Sequence, residues 1–244
     1  MDTNLIEVFS STQGEGPYLG VRQVFVRFTG CNLVCAYCDT AHDPTPQFRM
    51  ELVPGSADFT YFPNPVKVHQ LAEFIVGYGS GHSISLTGGE PLLHTDFILS
   101  LVDALNNSKN KIYLETNGSL PMELKKLISS VDIISMDIKI PSTSKCGDMW
   151  AVHREFLKIG SQKEIFVKTV VSSATPEEEI IKTCNIIKEV DPGIPLILQP
   201  VTLSPGFAGC NPSVKQLLDQ QCLAMKYIRD VRVIPQTQKF TGQL

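Results

Sequence analysis

The sequence predicts an α/β fold in which strand and helix alternate about six times around a parallel sheet. Three observations support this. Strand-like segments recur as nearly continuous apolar runs, which suits strands buried on both faces of a parallel sheet. Segments with apolar residues at helical spacing lie between them. The hydrophobic fraction is 43% over 244 residues, enough for one domain, 1–244, with a substantial core. The pattern alone admits an open doubly wound sheet or a full or partial barrel.

The first strand is expected in VRQVFVRFTG (21–30), rich in β-branched and aromatic residues and closed by Gly30. SISLTGGEP follows from 83, KIYLETNG from 111, DIISMDIKIP from 132, EIFVKTVV from 164, IPLILQPV from 194 and VRVIP from 231. Among the helices, NPVKVHQLAEFIVGYG (64–79) carries Val66, Leu71, Phe74, Ile75 and Tyr78 on one stripe. TDFILSLVDALNN (95–107) opens at Thr95 as its expected cap and ends in polar residues. LPMELKKLISS (120–130) has Pro121 in its first turn. TPEEEIIKTCNIIKEV (175–190) reads as a Thr175 cap, Pro176, an acidic first turn and an apolar stripe. NPSVKQLLDQQCLAMKYI (211–228) repeats the cap-then-proline pattern. The Pro-rich, aperiodic segment 43–65 is expected to be a long loop or small excursion, and LSPGFAGCNPS (203–213) a second irregular region.

Composition narrows the function. The formal net charge is −4 and no polybasic run occurs, so no strong field draws the chain to nucleic acid. The apolar stretches are strand-length, too short to span a bilayer. MDTNLIEVFS has an early acidic residue and no apolar core, unlike a signal peptide. A soluble cytoplasmic protein is expected.

Three of the seven cysteines crowd into GCNLVCAYCDT (30–40): Cys31, Cys35 and Cys38. Cys146, Cys184, Cys210 and Cys222 are scattered and read as structural or incidental, since free Cys often packs as a small hydrophobe. In a cytoplasmic chain, clustered thiols more often hold metal than form disulfides. Zinc would need a fourth ligand, with His42, His69, His82, His94 and His153 available. A redox pair of Cys35 and Cys38 leaves Cys31 unexplained. A four-iron, four-sulfur cluster on three thiolates would leave one iron open to a ligand. The spacing alone keeps all three readings.

Polar residues repeatedly fall at strand C-terminal ends, where βα proteins build their sites. The polar ones are Thr87 and Glu90 in TGGEP, beside Gly88 and Gly89, then Glu115 and Asn117 in LETNG, Ser135, Asp137 and Lys139 in SMDIK, and Gln199 in LQP. The glycines are suited to close approach of backbone to a ligand. Plainer roles compete: Glu115 as a strand-end cap, Asp137 with Lys139 as an ion pair.

CxxxCxxC with Tyr37 before its last cysteine, followed one βα unit later by TGGEP, resembles the radical S-adenosylmethionine (SAM) enzymes. The resemblance implies a partial, incomplete βα barrel of about six parallel strands. It implies a 4Fe-4S cluster on Cys31, Cys35 and Cys38, with SAM on the open iron. The SAM contacts it implies are Ala36, Tyr37, Asp39, Gly88, Gly89, Glu90, Glu115, Asn117, Ser135, Asp137, Lys139 and Gln199.

Within that superfamily, FSSTQGEGPYLGVRQVFVRFTGCNLVCAYCDT (9–40) resembles the 7-carboxy-7-deazaguanine synthase family. The matching pieces are QGEG (13–16), FVR (25–27), GCNL and CDT. The resemblance implies radical ring contraction of 6-carboxy-5,6,7,8-tetrahydropterin to 7-carboxy-7-deazaguanine with loss of ammonia. It implies substrate contacts from Thr12, Gln13, Gly14, Glu15, Arg27, Thr87 and Gln236, with the Arg27 fork on the substrate carboxylate. Thr40 matches a Mg²⁺ ligand, and PQTQKF (235–240) a C-terminal element that reaches the site. Family members often carry His where this chain has Gln238. A flavodoxin-like electron donor and a homodimer are also implied. A glycyl-radical-enzyme activase would share the cluster and GGEP but lack QGEGP…FVR. A zinc-binding module remains the non-enzymatic alternative.

Overall fold

The computed structural model describes residues 1–105, 109–203, 207 and 209–242. In chain order its elements begin with β1 (Asp2–Thr3), β2 (Leu5–Thr12), β3 (Arg22–Phe28), β4 (Gln47–Glu51), β5 (Phe59–Pro63), β6 (Val66–Lys67), α1 (Val68–Gly77) and β7 (Ser83–Gly88). Then come α2 (Thr95–Ala104), β8 (Lys111–Thr116), α3 (Pro121–Leu127), β9 (Ile133–Asp137), α4 (Pro141–Ser144) and α5 (Trp150–Gly160). The chain finishes with β10 (Glu164–Val171), α6 (Glu177–Val190), β11 (Leu196–Pro200), α7 (Val214–Ala224), β12 (Val231–Val233) and α8 (Gln238–Thr241).

Ten strands form one sheet in the order β12-β11-β10-β9-β8-β7-β3-β2-β4-β5. From β3 to β12 every pairing is parallel. The seven strand segments expected from the sequence are therefore all present in the parallel series, where the resemblance implied about six. Beyond β3 the sheet continues differently: β2 runs antiparallel to β3, β4 parallel to β2, and β5 antiparallel to β4. Among the described residues β12 and β5 do not pair, so the barrel stays incomplete.

The two faces of this sheet have different chemistry. The helices cover one face, burying Leu71, Ile75, Ile98, Leu101, Leu124, Phe156, Leu157, Ile180 and Ile187 against the strands. Each fully buried aliphatic or aromatic side chain contributes roughly 1.5–3 kcal/mol. On the other face Tyr113, Ile133, Phe166 and Ile197 pack together, with Tyr18 and Ile234 against them. Side chains alternate along a strand, so two residues further on the same face carries Glu115, Ser135, Lys168 and Gln199. The apolar plug thus ends where a polar floor begins.

Several local expectations are corrected. Segment 43–65 is not a plain loop: it holds β4 and β5, because Phe48 and Met50 alternate inward and Phe48 packs on Phe62 with ring centroids 5.7 Å apart. Strand β2 and helix α5 were not anticipated. Val66 lies in β6, ahead of the helix. Thr95 does not cap α2; a 3-10 turn (Pro91–His94) runs into the helix and Thr95 Oγ1 donates to the Leu92 carbonyl at 2.8 Å. Thr175 Oγ1 accepts from Ser172 N, and Pro176 takes the cap position of α6. For α7 the cap is Ser213 rather than Asn211, completed by Gln216 in a capping box. The polar end expected at 106–107 and positions 204–206 and 208 of the second irregular region lie outside the described residues.

Candidate active site

The C-terminal ends of the strands surround an open cavity of about 570 Å³. Cys31, Cys35 and Cys38 line it, together with Thr12, Gln13, Gly14, Glu15, Arg27, Tyr37, Asp39, Thr40, Thr87, Gly88, Gly89, Glu115, Asn117, Ser135, Asp137, Lys139, Gln199 and Gln236. Ala36 and Glu90, both expected as SAM contacts, do not. Ala36 uses its backbone N–H to tie the cysteine loop to the Ser144 carbonyl at 2.8 Å. Glu90 is fully buried behind the wall. Its carboxylate accepts from Thr116 Oγ1, Asn117 N and Leu92 N at 2.8, 2.8 and 3.1 Å, which fixes the end of β8. Burial pushes its pKa up to about 7, against those three hydrogen bonds.

The cysteine loop leaves β3 through Gly30, whose φ of +76 favours glycine. Gly88 and Gly89 were expected to admit a ligand, but their nearer reason is the protein's own backbone. Cβ atoms there would stand 2.3 Å from the Phe28 carbonyl oxygen and 1.8 Å from that of Gly30. Burial pushes the Cys31 and Cys35 thiols above their ordinary pKa. Asn117 Nδ2 lies 3.8 Å from Cys31 Sγ and 3.0 Å from Asn32 Oδ1. Cys146, read as incidental, stands with its Sγ 3.5 Å from Cys35 Sγ.

The histidines divide sharply. Of the five, His42 alone lines the cavity. His94 is held between Thr3 Oγ1 and the Thr29 carbonyl at 2.7 and 2.8 Å. His153 is buried against the Asn117 carbonyl, and burial pushes its pKa down to about 4, so it stays neutral.

One side of the cavity is an ion-pair network. Lys139 Nζ lies 2.8 Å from Asp137 Oδ2 and 3.1 Å from the Tyr37 hydroxyl. Lys168, which the sequence reading missed, pairs with Glu15 and lies 3.8 Å from Asp137 Oδ2. Burial disfavours the Glu15 charge, but the Lys168 ammonium and hydrogen bonds from Lys168, Gln236 and Gln238 hold its pKa at about 2. Glu115 forms no salt bridge among the described residues; it accepts from Gln13 Nε2, Ser85 Oγ and Thr87 Oγ1. Gln13 was expected to face substrate, yet its side chain is spent on Gln23 and Glu115, with Oε1 accepting from Glu15 N. Thr40 Oγ1 lies 3.4 Å from Asp39 Oδ1.

The C-terminal segment crosses the cavity mouth. Thr237 N donates to the Gly14 carbonyl at 3.0 Å, Gln236 and Gln238 reach Glu15, and Lys239 pairs with Asp39 at 2.6 Å. On the opposite wall Arg27 Nε donates to Glu7 Oε1 at 2.7 Å, and Arg49 Nη2 to Glu7 Oε2 at 2.6 Å. Glu7 and Arg49 were also missed. Lys168 could have been found from the strand period, two residues beyond Phe166.

This donor set fits an iron–sulfur cluster with a bound nucleoside-bearing cofactor. Three thiols share one loop and one cavity. Buried Asp137 Oδ1 and Gln199 Oε1 have no partner among the described residues, so each can accept from a bound hydroxyl or amine. Residues 25–191 match the family described as the Radical SAM superfamily, and the chain belongs to it. A Geobacter sulfurreducens protein named 7-carboxy-7-deazaguanine synthase is 48% identical over 246 residues, covering 98% of this chain and 97% of the relative. Relatives of the same name from Methanothermobacter thermautotrophicus and Archaeoglobus fulgidus are 36% and 35% identical, each covering 99% of this chain and at least 98% of their own length. Within the superfamily, the chain belongs to the 7-carboxy-7-deazaguanine synthase family. The crystal structure of QueE from Escherichia coli shares the fold with a TM-score of 0.60 at 19% identity, covering 97% of this chain and 94% of that one.

Proposed function

We propose that this chain converts 6-carboxy-5,6,7,8-tetrahydropterin to 7-carboxy-7-deazaguanine and ammonia as a radical SAM lyase. One observation carries the reading: a single cavity unites the three-cysteine loop with Gly14, Glu15 and the Arg27 guanidinium. Cys31, Cys35 and Cys38 would hold a 4Fe-4S cluster, which with SAM bound would supply the radical chemistry of the reaction.

The chain's own residues bind and orient. Arg27 offers the substrate carboxylate the part of its fork that Glu7 leaves free. Glu15 stays ionised, so it presents an anionic acceptor to the donor-rich edge of a pterin. Glu115, held by neutral donors, leaves a negative charge for the cationic groups of SAM. Asp137 and Gln199 accept from its polar groups. The tail, latched through Lys239 to Asp39, limits water access over the site.

Mg²⁺ belongs to the same reading, with Thr40 supplying an oxygen ligand beside substrate and water. So do a flavodoxin-like donor, a homodimer and a cytoplasmic location. No helix among the described residues is long and apolar enough to cross a membrane.

The test is anaerobic purification, reconstitution with iron and sulfide, and incubation with SAM, reductant and the carboxylated tetrahydropterin, with and without Mg²⁺. Formation of 7-carboxy-7-deazaguanine is the expected result. A brown protein that cleaves SAM but leaves the pterin untouched would favour the activase reading. A colourless zinc protein would end both.

A further inference from the structure

The geometry points to Arg49 as a second residue that binds the substrate carboxylate, with Glu7 as the positioning residue for both arginines. This rests on the proposal above that the substrate carries a carboxylate. Glu7 on β2 is the register partner of Arg27 on β3 and of Arg49 on β4. The three side chains therefore form one row across three strands, and all three line the cavity.

The row is fixed from several sides. Glu7 is 6% exposed, and its two carboxylate oxygens are divided between the arginines. Oε1 takes Arg27 Nε at 2.7 Å; Oε2 takes Arg49 Nε and Nη2 at 2.8 and 2.6 Å. The Arg49 guanidinium also lies over the Phe59 ring, 4.4 Å from its centroid, so β5 supports it from behind. Among the described residues neither guanidinium makes another hydrogen bond to protein, and Glu7 uses only part of each fork.

Charge decides what the row can take. Elsewhere in the cavity lining Glu15 pairs with Lys168, Asp137 with Lys139 and Asp39 with Lys239, while Glu115 is held by neutral donors and has no cation of its own among the described residues. At Glu7 two guanidiniums share one carboxylate, leaving one net positive charge. That excess, with free planar donors around it, suits one organic carboxylate held by two forks. The methionine carboxylate of SAM offers the same chemistry. The pterin carboxylate is the assigned occupant because Arg27 belongs to the same row.

The test uses the reconstituted holoenzyme without reductant. Equilibrium binding is measured for the unreactive 6-carboxypterin, for its 6-carboxamide and for SAM, with wild type, Arg49→Gln and Arg49→Lys. Arg49→Gln should weaken 6-carboxypterin about ten- to a hundredfold, the loss expected for a charge-assisted contact. It should leave the carboxamide and SAM affinities unchanged. Arg49→Lys should recover part of the loss, as a point charge without the fork. Equal weakening of carboxylate and carboxamide would mean a structural role and overturn the assignment. So would a loss of SAM affinity alone, or undiminished 6-carboxypterin binding. A wild-type protein that binds neither pterin would overturn the substrate reading and the clamp together, and this would be seen before any substitution is made.

Discussion

A Cβ on Gly89 would stand 1.8 Å from the Gly30 carbonyl oxygen, because the TGGEP turn and the start of the cysteine loop are pressed backbone to backbone. Glu90 N donates to that same oxygen at 2.8 Å, and Gly89 N to the Phe28 carbonyl at 3.2 Å. Two motifs nearly sixty residues apart in the chain are therefore held together. The glycine beside the site sets where the cysteines stand.

Gly89→Ala should push this contact apart. Overpacking of this kind costs about 1–3 kcal/mol, and the displaced loop should retain less iron after reconstitution. Gly77→Ala is the control, since nothing lies within 4 Å of a Cβ there. Melting temperature and iron per chain are the readouts. A Gly89→Ala protein with wild-type values for both would show that the loop tolerates the shift.

Cys146 sits 3.5 Å from Cys35 through sulfur, so the structure itself raises a fourth thiol as an alternative to an open iron. Cys35→Ala should lose the cluster and with it SAM cleavage. Cys146→Ala should keep wild-type iron per chain and the same brown absorbance. A comparable loss of iron in both variants would make Cys146 a ligand and close the cluster.

What the sequence made legible follows the range of the interactions. Cys31, Cys35 and Cys38 lie within one loop, and TGGEP, LETNG and SMDIK each end one strand, so local reading places them around the same cavity. Glu7 and Arg49 need the pairing of β2 with β4, a register that neither segment states alone. The 43–65 segment looked aperiodic because its prolines mask the alternation of Phe48 and Met50. Gln13 sits in the right motif, but its side chain is claimed by Gln23 and Glu115, which only the fold brings near. Strand period puts Lys168 on the same face as Phe166, but its partners Glu15 and Asp137 lie on other segments, so the run EIFVKTVV alone does not mark it as a site residue.

Arg27 already spends one donor on Glu7 at 2.7 Å and must hold a second carboxylate with the rest of its fork. A lysine ammonium cannot keep both in one plane. Arg27→Lys should raise the substrate KM by about tenfold or more while SAM affinity stays at the wild-type level. An unchanged KM would sink its role as a carboxylate fork.

Glu15 gives a pH dependence whose sign can be fixed. Its carboxyl is held at about 2 in the fold, against an ordinary value of 4.5. Above pH 4.5 it is ionised both folded and unfolded, and the stabilisation is fully present. Between 4.5 and about 2 the unfolded chain takes up a proton that the folded one refuses, so stability falls with pH through that window. The shift corresponds to about 3 kcal/mol at neutral pH. Glu15→Gln removes this dependence and also leaves Lys168 without its main partner. Urea unfolding of wild type and variant from pH 7 to pH 3 should show a gap of that order at pH 7 which narrows below pH 4.5. Other carboxylates titrate in both proteins and cancel in the difference. A gap that stays constant down to pH 3 would mean that Glu15 is not held ionised by Lys168, and its place as the anionic acceptor in the cavity would go with it.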